Sequence, residues 1–201
     1  MNTNELDKEY YLVNIDGENK HPLLTWGATK YDPFIFPKPI EESDLELPLK
    51  IKFRKPYPKQ PEFADILLLD GNYAVSEKVK QLFEKMNIYG IQFFPVEIET
   101  NTQKITNGYY AFHPWNGISA VDKNNYTGSE VDEDGEIDDL EKFSLDKTAL
   151  EAIPLEKRLI FHLSESSLEI LIHKTVYDAI IAENLTGFSL FRIDEWNDET
   201  N

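Results

Sequence analysis

Apolar and polar positions follow the same order twice along this chain. Val75 to Val96 (VSEKVKQLFEKMNIYGIQFFPV) aligns without a gap on Ile172 to Ile193 (IHKTVYDAIIAENLTGFSLFRI), at an offset of 97. Val79 falls on Val176, Asn87 on Asn184, Gly90 on Gly187 and Phe94 on Phe191. Val75/Ile172, Phe83/Ile180, Ile88/Leu185, Ile91/Phe188, Phe93/Leu190 and Val96/Ile193 are apolar in both copies. Each copy reads as an apolar strand end, an amphipathic helix, a turn glycine and a second apolar strand. Ser76 is placed to cap the first helix, and Glu77 suits the positive end of its dipole. Val79, Leu82, Phe83 and Met86 form its inner stripe, as Val176, Ala179 and Ile180 do in the second copy. In the strand that follows, the apolar residues change parity: Ile91 and Phe93, then Phe94, Val96 and Ile98. The second copy repeats this with Phe188 and Leu190, then Phe191 and Ile193. Alternate residues of a strand face opposite sides, so the pattern predicts a bulge or a strand covered on both faces.

The rest of the pattern is mainly strand and turn. Tyr10 to Ile15 reads as a strand closed by the turn Asp16-Gly17-Glu18-Asn19. Eight of the 11 prolines lie between His21 and Pro61. They exclude a long helix there and favour extended loops with short edge strands, Leu45 to Phe53 among them. Ala64 to Leu69 is an apolar run closed by the tight turn Asp70-Gly71-Asn72. Lys104 to Phe112 reads as the hairpin partner of Ile91 to Glu99, with a turn or bulge at Asn107-Gly108. Asp146 can cap a short helix ending before Pro154, and Leu159 to Leu163 leads as a strand into the second copy. The expected fold is α+β: two similar strand-helix-strand units packed on a mainly antiparallel sheet, with an irregular Pro-rich N-terminal arm. One domain, 1–201, is expected, with pseudo-repeated halves at about 10–113 and 114–193 and an acidic tail at 194–201.

Composition narrows the function. The apolar fraction of 41% and the 3 Trp, 10 Tyr and 12 Phe are enough for a packed interior. With 20 basic and 37 acidic side chains, the net charge is −17. That disfavours nucleic acid as a direct ligand and favours encounters with basic partners. Cysteine is absent, which excludes disulfides, thiolate metal sites and cysteine nucleophiles. The start MNTNELDKEY lacks the basic and apolar regions of a signal peptide. No run reaches the roughly 20 apolar residues that span a bilayer. A cytoplasmic protein with no membrane partner is the expectation.

The sharpest local motif is Glu130 to Glu141, EVDEDGEIDDLE, which holds eight acidic residues. On a twelve-residue calcium loop it sets Glu130, Asp132 and Asp134 at positions one, three and five, Gly135 at six, Asp138 at nine and Glu141 at twelve. An EF-hand also needs an entering helix, and Ala120 to Ser129 is a poor helix former. The simpler alternative is a solvated acidic hairpin tip around Asp134-Gly135. Its charge suits either a docking surface for a basic partner or a mobile loop. Lys50, Lys52, Arg54, Lys55 and Lys59 form a basic cluster, read as an edge strand guarded by lysines rather than a nucleic-acid site. His21, His113, His162 and His173 share no ligand spacing; His162 and His173 lie in or near apolar segments. A hydrolase built on His113 would lack any nucleophile motif nearby. No catalytic residue, cofactor or metal is expected.

Ala64 to Ile98 (ADILLLDGNYAVSEKVKQLFEKMNIYGIQFFPVEI) resembles a central block of the eleventh bacterial immunity-protein family, formerly a domain of unknown function, which is associated with polymorphic toxin systems. The matching elements are Asp65, Val75-Ser76-Glu77-Lys78-Val79 and Gln92-Phe93-Phe94-Pro95-Val96. Tyr109-Tyr110, Val121-Asp122, Leu145-Asp146, Ile160-Phe161-His162-Leu163 and Leu185-Thr186-Gly187-Phe188-Ser189-Leu190 continue the likeness in order, over about Tyr10 to Ile193. His162 stands where the family pattern has arginine. The resemblance implies a cytoplasmic, non-catalytic protein that binds and neutralises a cognate toxin encoded beside it. An acidic surface suits a basic toxin domain, and Glu130, Asp132, Glu133, Asp134, Glu136, Asp138 and Asp139 are the candidate partner-binding residues. A calcium-responsive binding module using the loop 130–141 is the alternative.

Overall fold

The computed structural model describes residues 4–15, 21–27, 38–59, 61–102, 105–133 and 135–197. The turn expected at 16–19, the end of the tail and Asp134 lie outside them. The strands are β1 (Tyr10–Ile15), β2 (Leu24–Trp26), β3 (Leu49–Phe53), β4 (Ile66–Leu69), β5 (Asn72–Ser76), β6 (Ile91–Glu99), β7 (Ile105–Pro114), β8 (Gly117–Ile118), β9 (Val121–Gly128), β10 (Leu140–Leu145), β11 (Ile160–Leu163), β12 (Ser166–His173) and β13 (Phe188–Arg192). The α-helices are α1 (Glu77–Lys85), α2 (Lys147–Glu151) and α3 (Lys174–Ala182).

The two aligned segments have similar backbone features. α1 and α3 each have nine residues and occupy equivalent positions at the same offset. Asn87 and Asn184 close them in the left-handed region, with φ of 52° and 51°, and Gly90 and Gly187 follow with 83° and 87°. Each helix joins two strands that run parallel but are not neighbours. β7 lies between β5 and β6, while β1 lies between β12 and β13. α1 packs on β5 and β7, and α3 packs on β12 and β1. The strand completing the second unit therefore comes from the N-terminus, although the sequence division at 113/114 assigns it to the first half. Ser76 and His173 share the N-cap position, but only one caps. His173 Nδ1 accepts from the Thr175 amide at 3.1 Å, whereas the Ser76 hydroxyl donates to Asp65 at 2.8 Å.

The two sheets close differently. The first is a barrel in the order β2-β3-β6-β7-β5-β4; the second is open, in the order β13-β1-β12-β11-β8. Both follow one plan. β8 runs parallel to β11 as β2 runs parallel to β4. Every other neighbouring pair shared by the two units is antiparallel. β3 is therefore not the edge strand that its lysines suggested. It sits between β2 and β6, with Leu49, Ile51 and Phe53 turned into the barrel and Lys50 and Lys52 outward. Lys50 pairs with Glu97, and Lys52 stands in register with Glu99. The lysines complement a neighbouring acidic strand, which a one-dimensional pattern does not show.

Three apolar clusters explain the parity change. Phe94, Val96 and Ile98 fill the barrel with Leu49, Ile51 and Leu67. Phe93 faces the other way and stacks on Phe112, 5.5 Å between ring centroids, beneath α1. The β6–β7 register runs unbroken from Ile91/Pro114 to Val96/Tyr109, and the strand is covered on both faces around Phe93 and Phe94, while Pro95 and Glu99 further along are exposed. The bulge falls later, where Asn107 and Gly108 face Glu97 and Gly108 takes φ of 87°. β13 behaves as β6 does. Phe188 and Leu190 join the middle cluster beneath the helices, while Phe191 and Ile193 turn to the third.

The units lock through their repeated turns. The Gly187 backbone passes so close to the first unit that a Cβ there would lie 2.6 Å from both the Ala64 Cβ and the Ile66 carbonyl oxygen. The amides of Asp65 and Ile66 donate to the Thr186 carbonyl at 3.1 and 3.2 Å. Asp65 in turn accepts from the Thr186 amide and hydroxyl, both at 2.9 Å. Burial raises the Asp65 pKa, but the hydrogen bonds from Thr186 and Ser76 outweigh it and hold the carboxyl below its ordinary value.

Candidate functional site: the acidic hairpin

The segment Glu130 to Glu141 joins β9 to β10, which pair antiparallel. Strands rather than helices flank it, so the EF-hand register is not realised and the hairpin reading holds. At its base the Ser129 amide donates to the Asp139 carbonyl at 2.8 Å, and the Asp139 amide donates to Ser129 Oγ at 3.2 Å. Gly128 permits this closure. With φ of 146°, its backbone lies where any Cβ would fall 1.9 Å from the Asp139 carbonyl oxygen. Higher up, the Asp132 amide donates to the Glu136 carbonyl at 2.9 Å, and the Glu136 amide donates to the Asp132 carboxylate at 2.8 Å.

One residue pins the tip to the body. Ile137 is 2% exposed within the third apolar cluster, beside Leu140 and Phe143. Its amide donates to the Glu165 carbonyl at 2.6 Å. Around these anchors Glu130, Asp132, Glu133, Glu136, Asp138 and Asp139 all project into solvent. The hairpin is a pre-shaped acidic surface with apolar roots. Among the described residues no three His, Asp or Glu side chains converge to hold a metal ion. The Asp132 carboxylate is engaged within the loop itself.

Two buried carboxylates hold the hairpin, and the sequence carries no signal for either. Glu165, in the β11–β12 turn, is 3% exposed. It accepts from the Ser119 hydroxyl at 2.6 Å and from the amides of Ala120 and Val121 at 3.2 Å. Asp7, on the 3₁₀ turn Glu5–Lys8, accepts from the Ser144 hydroxyl and from the Leu145 amide at 2.8 Å, clamping β10. Burial pushes the Asp7 pKa up; Ser144 and Leu145 oppose it, and nearby Asp194 and Asp122 add to it. Glu165→Ala leaves two buried amides without their acceptor and is expected to cost about 2 kcal/mol. Hydrogen exchange at Ile137 and Leu140 should speed up with it; unchanged exchange there would show that Glu165 does not hold the hairpin.

Three of the histidines lie on strands: His113 on β7, His162 on β11 and His173 at the end of β12. His113 is buried, and its Nε2 meets the Lys38 carbonyl at 2.8 Å. Gln92, its cross-strand neighbour, makes a two-way pair with the Ile40 backbone, 2.9 Å in each direction. Together they fix the end of the Pro-rich arm on the barrel. His162, on β11, is driven down to a pKa of about 4 by burial first and then by neighbouring His113. Of the basic cluster, Lys50 and Lys52 face Glu97 and Glu99 on the barrel wall, and Lys55 lies over the Tyr57 ring, 5.9 Å from its centroid.

No helix among the described residues is long and apolar enough to cross a membrane. No curated protein matches the chain. A family model described as "Immunity protein family (Imm11)" matches residues 2–195, a span that takes in both units, the hairpin and every strand from β1 to β13. The chain therefore belongs to the Imm11 immunity protein family.

Proposed function

We propose that this protein binds a cognate bacterial toxin domain and neutralises it by occupying its working surface, without chemistry of its own. Family membership across residues 2–195 carries this reading. The architecture suits it: a stable double scaffold presents a shaped surface, and the internal carboxylates and histidines are engaged in holding the fold. The cytoplasm is the proposed site of action, where a toxin would otherwise reach its target.

The acidic hairpin is the proposed docking surface, and a basic toxin domain such as a nuclease is the proposed partner. Clustered negative charge steers a basic partner, and burial of apolar roots beneath it limits the entropy lost on docking. Asp134 belongs to this candidate set by sequence. The decisive test is co-expression with the C-terminal domain of the protein encoded immediately upstream. Rescue of growth with a co-purifying complex is expected; a toxic neighbour that is neither bound nor relieved would sink the proposal.

Charge reversal then tests the surface. Glu133→Lys, Glu136→Lys, Asp138→Lys and Asp139→Lys together should slow toxin association about a hundredfold at low salt. Thermal stability should hardly change, because all four side chains are exposed. Asp132 is left alone because its carboxylate is part of the turn. An unchanged association rate would clear the hairpin of the role.

A further inference from the structure

The two units differ by one strand. Reading the barrel from β2 gives β2, β4, β5, β7, β6 and then β3; reading the second sheet from β8 gives β8, β11, β12, β1 and β13. The first five places correspond in order and direction. β3 has no counterpart: among the described residues, no strand lies beyond β13. The two edges of the second sheet are also built differently. β8 is cut to two residues, a common way of blunting an edge. β13 has five, FSLFR, with no proline and a single charge at its end.

The outward side of β13 offers backbone groups. The Ile193 amide donates to the Tyr10 carbonyl at 3.1 Å. By the period of two, the amides of Ser189 and Phe191 also face β1, while those of Leu190 and Arg192 face away. At the end of this edge a cleft of about 280 Å³ opens between Ile193 and Asp194 on one side and Tyr126, Lys142 and Phe143 of the hairpin on the other, with Asp7 in its lining.

The repeat shows what such a place holds. Ile193 and Asp194 are the counterparts of Val96 and Glu97 at the offset of 97. Those are the residues against which β3 sets Leu49 and Lys50, with Lys50 paired to Glu97. Two carboxylates line the cleft, Asp194 and the buried Asp7, whose oxygens are already taken by Ser144 and Leu145. Lys142 is the cation in the lining, and Arg192 holds Asp194 from the strand side.

We propose that an extended basic segment of the toxin adds to the outer edge of β13, on the side where β3 flanks β6, and sets a lysine or arginine at Asp194. This rests on the toxin-binding reading and gives it a second contact, next to the hairpin and made through the backbone. β3 pairs with Val96–Glu99, whose counterparts Ile193–Trp196 have already left the strand for a turn, so the added strand pairs earlier, with the Leu190–Arg192 stretch, and its cation reaches past the end. Backbone pairing supplies affinity in such additions, and the charged residue supplies selection.

The test uses the full chain with the C-terminal domain of the upstream protein. Amide exchange at Leu190 and Arg192 should slow at least about tenfold in the complex, while Ser189 and Phe191 stay as they were. Asp194→Lys should weaken the complex about tenfold or more, and Glu183→Lys on the exposed end of α3 should leave it unchanged. A complex whose Leu190 and Arg192 amides gain no protection overturns the inference and leaves the immunity reading intact, and so does wild-type affinity in Asp194→Lys. If no complex forms, the immunity reading fails and the inference falls with it. The exchange measurement is made on the natural chain, so it does not depend on any variant folding.

Discussion

Gly187→Ala is expected to destabilise the protein by roughly 3–5 kcal/mol, enough to unfold a large fraction of a marginally stable chain. Two costs add. The φ of 87° is a left-handed conformation that any side chain resists, which contributes about 1–2 kcal/mol. The methyl group would also meet the Ala64 Cβ and the Ile66 carbonyl oxygen at 2.6 Å, and the backbone oxygen cannot turn aside. Gly108 separates the two costs. It has the same φ of 87°, but nothing lies within 4 Å of its virtual Cβ. Gly108→Ala should therefore lose only the conformational part, about 1–2 kcal/mol. Urea denaturation of both variants decides the matter: equal losses would mean that the turn of one unit does not lock onto the strand of the other.

Lowering the pH from 7 towards 4 is expected to remove on the order of 3 kcal/mol through His162 alone. Its folded pKa is about 4, depressed by burial and by His113, against an ordinary 6.5. Between those values the unfolded chain binds the proton and the folded chain does not. The stability His162 contributes is thus complete above about pH 6.5 and drains away as pH falls to about 4. Its Nδ1 is buried without a hydrogen-bond partner, so protonation there finds no acceptor. His173 shifts in the same direction, by burial first, with Glu9 opposing. Asp7 works the other way, since its raised pKa favours folding as the carboxyl takes up a proton. The difference between wild-type and His162→Asn stability curves isolates the one group. Parallel curves between pH 7 and 4.5 would refute its role.

How much of this was legible in the sequence depended on whether a residue's environment is local. The helices, their closing Asn and Gly, and β6 and β13 were readable, because periodicity and turn chemistry act within a few residues. The parity change at Phe93-Phe94 was readable as two alternatives, and the structure takes the covered strand. Asp146 caps α2 as expected, its carboxylate accepting from the Ala149 amide at 3.0 Å. What stayed hidden is set by distant strands. Nothing near Lys50 signals that Glu97 lies beside it. Nothing near Tyr10 says that its strand belongs to the second sheet. β9 escaped notice because Val121 is its only buried residue, so a solvated strand leaves almost no hydrophobic trace. The acidic loop stood out for its charge, yet its shape comes from Ile137 inside the motif and from Gly128 and Glu165 outside it.

The placement of β1 has a consequence for the order of synthesis. Its partners are β12 and β13, so it must wait for strands made more than 150 residues later. At elongation rates of about 5–20 residues per second, it waits roughly ten to forty seconds for β13. The barrel, whose strands lie between β2 and β7, is fully emerged long before that. On the ribosome the barrel strands are therefore all present while β1 still lacks both of its partners, and the second sheet can close only once β13 has been made.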